Sequence, residues 1–371
     1  MHTTFLFFTA ALLASLVKAG SPVWEISTAS HNILDNDLVK RAVSINPQHD
    51  YRDSSRTRLW PDKKITYAFA DDEAKEKLEG QFRRAVNIWG TLSANGFKYE
   101  AVTPRKCRSH RSECLLIHYN DQGTFRSSIG IPAVNRRQGA EGPTMHLSDK
   151  IEVGNLDTAI NTAHEIGHVW GLGHEHQVKE WWGQSDSDEK WIEYLTGEDL
   201  MTEDYHCENL QDYEAAKAKL EEANASKEDK DKDTLEGLCR IGSIAKKYGF
   251  SAMDWVPLPG LGFQHDDKFD EASLMLYPSG AGGKGRVNLN AEDPKDRDQR
   301  LPILTFPGGE RIPLRECPSS GDIGKLLEIY GTDYVGTSKL LNDKDSKFRG
   351  LFNKIRGKSS KRAGDTEAGI C

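Results

Sequence analysis

Net positive charge is lacking in this chain. Its 371 residues carry 49 lysines and arginines against 57 aspartates and glutamates, a net charge of −8. That balance gives no reason to invoke nucleic acid, whose phosphates require a basic surface. Long apolar runs are lacking too: past the first twenty residues nothing approaches the roughly 18 apolar residues that cross a bilayer, so no stable membrane insertion is expected. The six cysteines include no C-x-x-C pair, which argues against a zinc site built on thiolates. What is left, at 37% hydrophobic and 29% charged, is the composition of a globular chain, long enough for a domain of about 200 residues with extensions.

The one apolar run is N-terminal. Phe5 to Val17 has only Thr9 and Ser15 as polar members, and Val17 and Ala19 are small residues where a signal peptidase would cut. Its n-region is weak, offering only the amino terminus and His2, and a buried N-terminal strand or helix is the alternative. Residues 1–19 therefore read as a signal peptide, and the protein as secreted and extracellular. Residues 20–60 are rich in Asp, Asn, Ser and Arg, and Lys40-Arg41 has the form of a dibasic processing site, so 20–41 reads as a pro-segment. Secretion turns the cysteines into a disulfide question with 15 possible pairings. Nearness favours Cys107–Cys114, Cys207–Cys239 would close a loop around a charged run, and Cys317–Cys371 then remains.

The stretch around which the chain is organised is His164-Glu165-Ile166-Gly167-His168-Val169-Trp170-Gly171-Leu172-Gly173-His174, an H-E-x-x-H-x-x-G-x-x-H pattern. By the residue frequencies of this chain it arises by chance in about one sequence in ten thousand. His164 and His168 lie four apart, so on a helix they project from one face and can share a single Zn²⁺. Glu165 points beside them, where it reaches an activated water without being a ligand. Gly171 can adopt the positive φ that ends the helix and lets His174 return as third ligand. Three protein ligands leave a fourth position open, as in catalytic zinc sites. His176 is also an imaginable ligand, but the six-residue step from His168 selects His174.

This motif resembles that of the metzincin clan of zinc endopeptidases. The clan also requires a methionine turn beneath the metal about a hundred residues on, and Ser273-Leu274-Met275-Leu276-Tyr277-Pro278 fits it, most like the astacin form. The resemblance implies an α+β zincin fold. In it a twisted mixed sheet with the active-site helix (42–177) faces a mostly irregular and helical C-terminal subdomain (178–336) across a cleft, followed by a basic tail (337–371). It further implies one Zn²⁺ per chain, protein or peptide substrates, Glu165 as general base, Tyr277 as an oxyanion donor and Met275 as an apolar floor. A monomer is expected. No cysteine precedes Cys107, which excludes a cysteine-switch latency device; Asp35 or Asp37 could instead cap the zinc as astacin pro-segments do. Glu175 matches the position that receives the mature amino terminus in astacins. After it the chain departs from the astacin pattern with His176-Gln177-Val178-Lys179-Glu180-Trp181-Trp182, which leaves that activation coupling open.

Around these motifs, Lys64–Phe69 carries a strand signal ended by an Asp71-Asp72 cap, and the spacing of Leu78, Phe82, Ala85, Val86 and Trp89 predicts a helix to about Leu92. Phe97–Val102 and Leu115–Tyr119 read as strands, with His118 a strand residue and not a ligand. Ser127–Gly130 and Pro143–Ser148 precede the motif helix, and the resemblance to the astacin pattern implies that they supply an edge strand to which an extended peptide could add. A helix is expected over Asn155–Leu172, another around Leu210–Glu222, and a capped one over Ser320–Gly331. Gly280–Gly285 reads as a flexible wall, and the charged run 227–233 as solvated. Asn224-Ala225-Ser226 is an N-glycosylation sequon. Two rivals keep the zinc: a secreted binding or effector module with little turnover, and a zinc hydrolase acting on lipid or polysaccharide.

Overall fold

The computed structural model describes residues 44–45, 59–132, 142–177, 182, 204–228, 232–257, 263–264, 269–293 and 296–331. The expected signal peptide, the pro-segment with Asp35, Asp37 and Lys40-Arg41, the tail, and Cys371 with its pairing to Cys317 lie outside them.

After β1 (Ser44–Ile45) comes β2 (Lys64–Phe69), the β-branched and aromatic run of the sequence. The Asp71 carboxylate then accepts from the Ala74 amide at 2.8 Å and starts α1 (Asp72–Ile88). The helix stops short of Leu92 because Trp89 turns inward, fully buried, and its indole donates to the Ala163 carbonyl at 2.8 Å. A second short helix follows, α2 (Gly90–Ala94), and then β3 (Lys98–Ala101). An unanticipated helix, α3 (Pro104–Ser109), is started by Thr103 as cap and Pro104 in the first turn. The Cys107–Cys114 disulfide ties it to the next strand.

β4 (Leu115–Tyr119), β5 (Arg126–Ser127) and β6 (Thr144–Leu147) complete a five-stranded sheet of order β3-β2-β4-β6-β5, parallel except for β5 at the edge. Strand alternation splits its two faces. Ile65, Leu115, Ile117, Met145 and Leu147 join the main core, while Ala68, Leu116 and the disulfide form a small second cluster. On the main-core side α1 packs against α4 (Thr158–Trp170), which is buried at every position from Asn161 to Trp170. A helix covered all round is a core helix, and here it is the one that carries the motif. The Asp157 carboxylate caps it, accepting from Ala159 and Ile160 at 2.7 and 3.1 Å.

The C-terminal half is mostly helical and irregular. The helices α5 (Tyr213–Asn224), α6 (Leu235–Arg240) and α7 (Gly242–Tyr248) follow one another, and the Cys207–Cys239 disulfide ties the turn before α5 to α6. β7 (Phe263–Gln264) pairs with β1 antiparallel, and Ser44 bridges to Leu172 directly after the motif helix. β8 (Gly285–Val287) and β9 (Asp298–Arg300) make a hairpin, and α8 (Ser320–Ile329) closes the described chain behind a capping box from Ser319. The glycines of 280–285 differ from expectation. A Cβ on Gly280 would meet Asp298 Oδ1 at 2.6 Å and one on Gly283 the Leu301 carbonyl. They permit close packing against β9 rather than looseness. Asn224, the sequon residue, has both side-chain ends occupied, donating to the Asp233 carbonyl at 2.7 Å and accepting its amide at 3.2 Å. A glycan on Asn224 would replace one of the two Nδ2 hydrogens and leave the other for that clasp.

Candidate metal centre

α4 delivers His164, Glu165 and His168, all buried, from one helix. Gly171 ends it at φ 117°, a left-handed conformation that glycine adopts without cost. Its amide returns to the carbonyls of Gly167 and His168, and the Leu172 amide to that of Gly167 at 3.0 Å. This reversal brings His174 back, as the sequence predicts. The ligand nitrogens of His164, His168 and His174 all lie within 4.8 Å of one another, the one such convergence of three or more metal-binding side chains among the described residues. His118, read as a strand residue, lies in β4 and stacks on His146 at 4.8 Å, away from the three. His146 is pushed down to about 3 by burial, with the Arg126 charge and His118 adding to it.

The fit to a metal can be judged from the other edge of each ring. His164 Nδ1 donates to the Leu274 carbonyl at 2.9 Å, His168 Nδ1 to the Leu172 carbonyl at 2.8 Å, and His174 Nδ1 to Gln177 Oε1 at 2.7 Å. A carbonyl oxygen only accepts, so each contact fixes the proton on Nδ1 and leaves the lone pair on Nε2. The Nε2 atoms of His168 and His174 are 2.9 Å apart. Two neutral imidazoles set that way oppose lone pair to lone pair, an arrangement that a shared cation relieves. The donor set of three imidazoles suits Zn²⁺, and the carbonyl partners are those expected of metal-bound histidines. The residues therefore fit the group. The motif names the ligands but not these partners: two are backbone carbonyls that any residue type can supply, and the third is the Gln177 side chain.

Beneath the ligands sits Met275, fully buried. A Cβ on Gly167 would lie 2.5 Å from its sulfur and 3.2 Å from the Trp89 ring, so the middle of the motif needs glycine for clearance. The methionine turn is held from below by Asp322 of α8. Its carboxylate accepts from the Ser273 hydroxyl at 2.6 Å, the Leu274 amide at 2.8 Å and the Ser319 amide at 2.9 Å. Burial and the neighbouring Asp270 push Asp322 up to about 6 despite those bonds. Glu175, next to the third ligand, accepts from the Asp270 amide at 2.8 Å, and burial pushes it up to about 8.

Tyr277 packs its ring 4.6 Å from that of His174 and 5.7 Å from that of His164, with His176 and Trp255 on its other sides. His176 is not a ligand here: its Nε2 donates to the Asp254 carbonyl at 3.0 Å. Glu165 lies beside β5, where the Ser127 hydroxyl donates to its Oε2 at 2.6 Å. Ser127 is a contact that the sequence does not announce, since the edge strand reads only as backbone.

No family model matches the chain, and no curated protein matches it. Among solved structures it is similar to high choriolytic enzyme 1, a hatching enzyme zinc-protease from the medaka fish Oryzias latipes, with 16% identity and a TM-score of 0.33 over 77% of this chain and 99% of that one. It is also similar to myroilysin, with 12% identity and a TM-score of 0.33 over 78% and 90% of the two chains. Independently of these neighbours, the three-histidine group, Met275 below it and Glu165 beside it fit the metzincin pattern of the sequence.

Proposed function

We propose that this protein is a secreted zinc endopeptidase with one zinc per chain, held by His164, His168 and His174. The observation that carries the reading is the convergence of the three histidines with each Nδ1 committed to an acceptor. Bound zinc would supply Lewis acidity, acidifying a water and polarising the scissile carbonyl. Glu165 takes the water proton and passes it to the leaving amine. Its Oε2 is held by Ser127, so the carboxylate keeps one orientation during that transfer. Tyr277, in van der Waals contact with the His174 ring, is the candidate donor to the developing oxyanion.

The peptide class of substrate is supported by the position of β5. A strand at a sheet edge has one row of unpaired backbone groups, to which an extended chain can add. Ser127 of that strand touches Glu165, so a peptide laid along it would pass the general base. The reading is tested by cleavage of casein by the form processed at Lys40-Arg41. Glu165→Gln is expected to lose activity by about 10³-fold while keeping its zinc, and a chelator to abolish it. A protein that binds one zinc and cleaves no peptide would instead be a binding module.

A further inference from the structure

We infer that Gln177 is a positioning residue through which the segment 254–256 holds the third metal ligand. The inference rests on the metal-centre reading above. Two of the three ligands take their Nδ1 acceptor from backbone, His164 from Leu274 and His168 from Leu172. His174 takes its acceptor from a side chain, Gln177 Oε1 at 2.7 Å. A side-chain acceptor orients a ligand only if it is itself held. Gln177 is: its Nε2 donates to the Asp254 carbonyl at 3.1 Å and the Val256 carbonyl at 3.2 Å.

The amide cannot be turned round. Reversed, its oxygen would face two carbonyl oxygens, and the nitrogen would face the His174 Nδ1–H. The carbonyls of 254 and 256 therefore dictate which end of Gln177 meets His174, and so keep the His174 lone pair on Nε2. The same segment is fastened a second time, through His176 Nε2 to the Asp254 carbonyl at 3.0 Å, and the Trp182 indole holds the His176 carbonyl at 2.7 Å. Trp255, fully buried, packs against both His176 and Tyr277. The stretch that carries α5, α6 and α7 and precedes residues 254–256 thus ends on the metal centre. Its last residues are part of the ligand frame rather than a surface appendage.

The test is zinc affinity of the full processed protein, measured by competition with a chromophoric chelator, together with the visible spectrum of the cobalt-substituted form. Gln177→Met keeps the length of the side chain and removes all three bonds; zinc is expected to bind about 10- to 100-fold more weakly, with a changed cobalt spectrum. Gln177→Glu keeps an acceptor for His174 and makes that ligand more basic, but sets a carboxylate oxygen against the two carbonyls, so a changed cobalt spectrum is expected. As a control, Asp233→Asn releases Lys247 and Tyr248 in the same stretch, away from 254–256. It is expected to lower the melting temperature and leave zinc affinity within twofold. Wild-type affinity in Gln177→Met, a wild-type cobalt spectrum in Gln177→Glu, or an equal loss in Asp233→Asn would overturn the inference. A wild-type protein that binds no zinc would overturn the metal-centre reading instead, before any variant is compared.

Discussion

At the scale of single residues, the site depends on one atom that is missing and one oxygen that is present. Gly167 has no Cβ, and the space goes to Met275 and Trp89. In Gly167→Ala the added methyl gains helix propensity of about 1 kcal/mol but overpacks the core at a cost of about 1–3 kcal/mol. The Met275 side chain is unbranched and gives way at its far end, so a net loss of about 1 kcal/mol is expected, read as a lower denaturation midpoint in urea. Because the displaced sulfur lies under the ligands, zinc affinity falls with it. The phenolic oxygen of Tyr277 gives a separate prediction. Tyr277→Phe keeps the ring contacts with His174 and His176 and removes one donor, so kcat is expected to drop by about 100-fold. KM, zinc content and melting temperature stay close to wild type. A variant with unchanged kcat would remove Tyr277 from the chemistry.

At the scale of elements, α8 acts on the metal centre through its cap. Asp322 belongs to the Ser319 capping box and also carries the Ser273 hydroxyl and the Leu274 amide, while the Leu274 carbonyl orients His164. Asp322→Ala strands buried donors that each cost about 1–3 kcal/mol when unsatisfied. A loss of about 3 kcal/mol or more is expected in chemical denaturation, against about 1 kcal/mol for an ordinary N-cap. A loss no larger than the ordinary figure would mean that the methionine turn holds itself. How much of this was legible follows the range of each interaction. β2, α1, α4 and α8 are visible because their signals are local: β-branched runs, three- and four-residue spacing, a capping residue. The break at Trp89 was missed because it is set by a partner in α4, and α3 because a disulfide and a proline support a segment without apolar periodicity. Gln177 and Ser127 carry no local signal at all; their importance comes from carbonyls and a carboxylate far along the chain.

At the scale of the whole molecule, the question is how processing of the chain could act on a buried carboxylate. Glu175 is pushed up to about 8, chiefly by burial, with Asp322 and Asp270 adding to it. Its usual value is near 4.5, so between about pH 4.5 and 8 the folded state holds a proton that the unfolded chain has released. Stability is therefore lost as pH rises through that window. Ser44 bridges to Leu172, three positions before Glu175, and Ala42 lies two residues ahead of Ser44, a span of at most about 7 Å. Cleavage after Arg41 would make Ala42 an amino terminus, and in the astacin pattern the position of Glu175 receives such a terminus. An ammonium brought there would favour the carboxylate and lower its pKa. The processed form is then expected to melt higher than the unprocessed form at pH 7. The gap closes as pH falls through the lowered pKa of the processed form, below which Glu175 is protonated in both forms and has no charge to pair. Glu175→Gln removes the ionisable group and should abolish the gap at every pH. Melting curves of the two forms, with and without the substitution, decide it: a gap that survives in Glu175→Gln would place the effect of processing somewhere other than this carboxylate.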